Sequence, residues 1–167
     1  MAARRDILIK WTLYAAVAFA LLFAHMLLLG RITLWGVAPF LPPLLVALPA
    51  TYEEPWPSAL FGLFLGICCD LVLPAPFPCL YTVSFVLAAL AAVLIAKYAV
   101  QPGFFCSLAA TAAAFFILHL FLAAVFVFRG AALITVIFLG LRELLVSSLL
   151  LVICYPIFRK LHALFAF

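Results

Sequence analysis

Five side chains that can hold a charge or move a proton lie inside long apolar runs: His25, Asp70, His119, Arg142 and Glu143. If those runs cross a bilayer, a charge at its centre costs about 2.5–3.5 kcal/mol on insertion scales. Each such group then needs a partner or a purpose. Counted at 1.5 Å per residue from the nearer outer helix end, His25 lies about 6 Å deep and Asp70 about 5 Å. His119 lies at roughly 14 Å, Arg142 at about 16 Å and Glu143 at about 18 Å. The pattern predicts an outer pair, His25 and Asp70, and a mid-membrane trio, His119, Arg142 and Glu143. Three kinds of chemistry fit the trio: a polar contact holding helices together, a contact to a partner protein, or a proton or ion relay. The first is preferred, with Glu143 or Arg142 expected to reach a polar group on a neighbouring helix. Adjacent helical residues point about 100° apart, so the two cannot satisfy each other. Asp70, near a helix end, reads as a snorkelling interfacial acid.

Other chemistries find little footing. Neither histidine belongs to a ligand-spaced cluster, so no metal site is expected. The five cysteines show no CxxC spacing. Cys68, Cys69, Cys106 and Cys154 read as small apolar fillers inside the runs, and only Cys79, in a Pro-rich loop, should meet solvent. No nucleophile–base pair and no phosphate-binding loop stands out. No enzyme activity and no cofactor are expected, because a small membrane enzyme would need convergent polar groups at one depth, and only the trio approaches that.

The elements that must carry these residues are set by composition. Hydrophobic residues make up 72% of the 167-residue chain and charged residues 8%, with a mean hydropathy of +1.46. Soluble domains hold about 45–50% apolar and about 25% charged residues, so lipid must do the solvating. The pattern predicts an all-α, polytopic integral membrane protein forming a single transmembrane domain. About six spans are expected, near residues 11–29, 34–51, 58–73, 79–96, 104–128 and 131–158. The second holds Pro39, Pro42, Pro43 and Pro49, and should be kinked or broken and shielded by other helices. The first apolar stretch is too long for the core of a cleaved signal peptide.

The net charge of +4 does not suggest nucleic-acid binding, because the basic residues sit at the ends of the apolar runs. Arg4, Arg5, Lys10, Lys97, Arg159 and Lys160 fall on one side and Arg31 and Arg129 on the other, which predicts both termini on the cytoplasmic face.

Two small-residue faces are candidate helix-packing or partner surfaces. Gly62, Gly66 and Asp70 recur at i, i+4 and i+8 on the third span, and Ala16, Ala20 and Ala24 do so on the first. Such faces let another helix approach closely.

Segments of the chain resemble the rod shape-determining protein MreD family. They are Pro39-Phe40-Leu41-Pro42-Pro43-Leu44-Leu45, the run Gly62-Leu63-Phe64-Leu65-Gly66-Ile67-Cys68-Cys69-Asp70-Leu71, and Tyr155-Pro156 before a basic tail. The resemblance implies a non-enzymatic scaffold or regulatory subunit of the bacterial cell-elongation machinery in the cytoplasmic (inner) membrane. It implies an MreC-type single-span partner, and ties to the MreB filament and to the glycosyltransferase–transpeptidase pair that builds lateral peptidoglycan. The second reading is a substrate-binding S-component of an energy-coupling factor vitamin transporter. Those proteins are similar in span number and in an alanine face on the first helix, and His25, Asp70 and Trp35 could line an outward pocket. A deep hydrophilic pocket would favour the transporter; an exposed groove on the lipid face would favour the scaffold.

Overall fold

A computed structural model describes residues 2–28 and 31–165, with side chains from Ile7 onward. The expected end of the first span at Leu29, and the side chains of Arg4 and Arg5, lie outside the described residues. The described chain is helical throughout its regular structure: α1 (Ala2–Leu27), α2 (Pro42–Ala50), α3 (Pro55–Val72), α4 (Leu80–Leu94), α5 (Phe104–Phe128) and α6 (Leu133–Leu164). A π-turn over Ile95–Ala99 extends α4. Five helices are long and apolar enough to cross a membrane, all but α2. The chain is a multi-pass helical membrane protein.

Of the six expected spans only the second forms no spanning helix, broken as its prolines predict. Residues 34–51 do not form one helix, because proline cannot donate to the helical ladder and clashes with the turn before it. The chain instead reverses at Trp35-Gly36, both at positive φ (54° and 77°), with Leu34 and Val37 exchanging backbone hydrogen bonds of 2.9 and 3.1 Å. Val37–Leu41 then runs without regular structure, and only Pro42–Ala50 coils. Pro42 and Pro43 occupy the first helical turn, where a missing N–H costs nothing.

All nine residues of α2 are buried, as broken backbone in a bilayer must be. The Phe40 N–H, which has no helical partner, donates to Ser147 Oγ on α6 at 2.8 Å. Residues 37–50 reach about 30 Å, one hydrocarbon thickness. Phe40 sits beside His25, near the outer end of α1, and Glu53 beside Lys10, near its start. The segment therefore passes from one end of the bundle to the other, half as irregular chain and half as a short helix.

The other boundaries move modestly. The third helix starts at Pro55 rather than 58, its prolines again falling in the first turn. The sixth runs to Leu164, past the expected 158 and through Pro156. That extension carries His162 to Glu53, so both ends of the described chain share one end of the bundle.

On α1 the buried stripe is Tyr14, Ala18, Leu22 and His25, spaced as one helical face. The core is completed by α2 and by Phe61 and Leu65 of α3, Phe85 and Ala88 of α4, Phe115 and Leu118 of α5, and Leu151 and Phe158 of α6. Exposed aromatics mark both ends: Trp35 at the outer one, Trp56 and Tyr98 at the other, as membrane interfaces favour.

Candidate functional site

Polar side chains form three clusters in the bundle. At the end holding the termini, the Glu53 carboxylate takes an ion pair from Lys10, a hydrogen bond from the Tyr14 hydroxyl at 3.2 Å and a contact from His162 Nδ1 at 3.3 Å. The His162 ring stacks on Tyr52, centroids 4.9 Å apart. Burial pushes the Tyr52 phenol up from its ordinary value, so it stays neutral. Glu53 thus ties α1, the turn before α3 and α6 together. A cavity of about 420 Å³ beside it is lined by Glu53, Glu54, Lys97 and His162 among others. This cluster has no counterpart among the residues singled out from the sequence. The available signal was that Lys10, Glu53 and His162 fall at the same end once six passages are assumed.

At the other end, Asp70 accepts hydrogen bonds from the Tyr81 N–H at 3.0 Å, the Thr82 N–H at 2.9 Å and the Thr82 hydroxyl at 2.6 Å. It caps the first turn of α4, where free N–H groups and the helix dipole favour an anion. The snorkelling reading is corrected accordingly. Gly62 and Gly66 complete the same face. A methyl at Gly66 would lie 2.5 Å from Thr82 Cα, and one at Gly62 would lie 2.6 Å from the Phe85 carbonyl oxygen. The three residues form one clasp on α4, so this face is taken inside the bundle. Cys79, just before α4, adopts positive φ (63°) and is exposed.

The trio divides, and the expected separation into two layers is corrected: Phe40, edge-on to His25, bonds Ser147 one turn along α6 from Glu143, so Glu143 lies level with the outer pair. His119 Nε2 lies 3.1 Å from Glu143 Oε2, joining α5 to α6. Gly140 makes room for the His119 ring, since a methyl there would sit 2.9 Å from its Cγ, and Phe115 stacks on the ring's other side at 6.1 Å. Arg142 is exposed, turned about 100° from Glu143 as helical geometry requires. His25 is buried, edge-on to Phe40 at 5.6 Å, and its Nδ1 has no hydrogen-bond partner among the described residues. Phe40 in turn packs on Tyr81 at 6.0 Å, so His25 and Asp70 share a level but are separated by two aromatic rings.

Two outward features remain. Ala16 and Ala20 are exposed and Ala24 half-buried, so the small-residue face of α1 turns away from the core. A groove of about 380 Å³ between α5 and α6 is walled by Phe116, Leu120, Ile137, Leu141 and Leu144, with His119 at its floor. Compared with known proteins, the chain matches no family model, no curated protein and no solved structure.

Proposed function

We propose that the chain is a non-enzymatic scaffold of the bacterial cell-elongation machinery in the inner membrane, binding a single-span MreC-type partner. The observation that carries this reading is the groove between α5 and α6. Its apolar walls open on the lipid-facing surface, and its outer rims, Phe116 and Ile137, are 69% and 57% exposed. Close packing is the main drive for helix association in lipid, where both solvent and protein are apolar. A concave groove gives a partner helix more contact than mobile acyl chains supply. The Gly62–Gly66–Asp70 clasp supports the resemblance by giving its longest motif one physical task. The vitamin-transporter reading draws support from the outward alanines of α1.

Photo-crosslinking in the living host tests this. A photoreactive residue at Leu120 or Ile137 is expected to capture a single-span protein, identified by mass spectrometry. The same residue at Phe64, on the outward side of α3, is the comparison. Capture of the same lipids and nothing else at all three positions would overturn the proposal. Capture of a transporter coupling subunit would replace it with vitamin uptake.

A further inference from the structure

The contacts to Glu53 from Lys10, the Tyr14 hydroxyl and His162 all converge on one carboxylate oxygen, Oε1. Among the described residues nothing bonds the other oxygen, Oε2, although the side chain is only 10% exposed. That oxygen is not sealed in, and Glu53 lines the cavity of about 420 Å³ at this end of the bundle, so Oε2 opens onto it. Glu54 and Lys97 line the same cavity, one from the turn before α3 and the other from the π-turn after α4. Turns of that kind recur at functional sites. Both side chains are exposed, and among the described residues neither has an ion-pair partner. Lys97 instead lies over the Tyr98 ring, 5.6 Å from its centroid. Opposite charges therefore face one cavity without meeting across it. Glu53 and Glu54 are balanced by Lys97 and by Lys10 behind Glu53, so the summed charge favours neither a bare anion nor a bare cation. Trp56 and Tyr98, 73% and 75% exposed, adjoin these residues in the chain and set the cavity at the level of the lipid headgroups.

We propose that this cavity binds a phosphoethanolamine group, the headgroup of an aminophospholipid, with its ammonium donating to Glu53 Oε2 and Glu54 and its phosphate accepting from Lys97. A primary ammonium brings three donors, and charge-assisted bonds to carboxylates are the strong ones. A trimethylated ammonium brings none. A headgroup with net negative charge would set that charge against Glu54, which has no cation of its own. A zwitterion with a primary amine meets both the unused acceptors and the unused cation. The proposal goes beyond the scaffold reading: the cavity shares no lining residue with the groove between α5 and α6.

The test titrates the full-length protein in mild detergent with phosphatidylethanolamine, phosphatidylcholine or phosphatidylglycerol of the same acyl chains, and reads the bound lipid by native mass spectrometry. Phosphatidylethanolamine is expected to bind about tenfold more tightly than phosphatidylcholine, the scale of one hydrogen bond to a charged group. Glu54→Gln should remove most of that preference, because the ammonium loses a charged acceptor. Lys97→Gln should weaken both zwitterionic lipids alike and leave their ratio unchanged, because it acts on the phosphate they share. Thermal unfolding of each variant without added lipid should match the wild type, since neither side chain has a partner in the bundle. Equal binding of the two zwitterionic lipids, a preference for phosphatidylglycerol, or a preference for phosphatidylethanolamine unchanged in Glu54→Gln would overturn the proposal. Displacement of the bound lipid by free phosphoethanolamine would support the chemistry and assign a soluble source; retention of the lipid would support the membrane as the source. None of these readouts involves the groove, so the scaffold reading stands or falls separately.

Discussion

Replacing Gly66 by alanine puts a methyl carbon 2.5 Å from Thr82 Cα, 2.9 Å from Thr82 N and 2.9 Å from the Tyr81 carbonyl oxygen. Non-bonded carbons rest at about 3.5–4.0 Å, and all three neighbours are backbone, which no rotamer change can move. Helices α3 and α4 must therefore part by about 1 Å. Asp70 sits one turn further along the same face, bonded at 3.0, 2.9 and 2.6 Å. A displacement of that size takes at least the two backbone bonds beyond hydrogen-bonding range. Overpacking costs about 1–3 kcal/mol, and a hydrogen bond to a charged group contributes about 1.5–3 kcal/mol. With partial relaxation, the expected loss is about 3–4 kcal/mol.

Thermal unfolding in mild detergent measures the loss, with Gly103→Ala as control. A methyl there meets only the Gln101 carbonyl oxygen, at 3.8 Å, and should change stability by less than about 0.5 kcal/mol. The thiol of Cys69, fully buried beside Asp70, reports the local change: its labelling by maleimide should accelerate in Gly66→Ala. If Gly66→Ala unfolds with the control and Cys69 stays protected, the clasp is not what holds α3 to α4.

Three further predictions follow from the other clusters. Glu53→Ala leaves Lys10, Tyr14 and His162 without their shared acceptor and should destabilise by about 3 kcal/mol, while Glu53→Gln, which can still accept from Tyr14, should lose less; unfolding of both variants in detergent decides. Gly140→Ala forces the His119 ring aside and should cost about 1–3 kcal/mol, and that cost should vanish when His119→Ala is already present, a coupling read by a double-mutant cycle. In intact cells an impermeant maleimide should label Cys79 and spare Cys68, Cys69, Cys106 and Cys154; labelling of Cys79 only after the cells are opened would reverse the expected orientation.

The class of fold was legible because composition alone demands lipid, and the third-span motif was legible because its period of four places three residues on one face. What that face touches was not legible. Between membrane helices both core and solvent are apolar, so hydrophobicity does not say which side of a helix is inside. The same reason hid the inward stripe of α1. Ala16 and Ala20 turn outward, while Tyr14, Ala18, Leu22 and His25 are buried.

The prolines of residues 39–49 announced a broken passage, but its shielding depends on Ser147, more than a hundred residues away. Counting from the outer helix ends separated His119, Arg142 and Glu143 from His25 and Asp70, whereas α6 runs further outward than α1 and α3 and brings Glu143 to the level of His25. Which of Arg142 and Glu143 faced α5 needed the rotation of α6 about its own axis, which packing sets.

The most direct test of the proposed function is recovery of partners from the host: tagged protein purified in mild detergent, with co-purifying proteins identified by mass spectrometry. A single-span MreC-type protein or cell-wall synthases are expected. Recovery of two ATPases with a membrane coupling subunit, and no such partner, would contradict the scaffold reading and assign the chain to vitamin uptake.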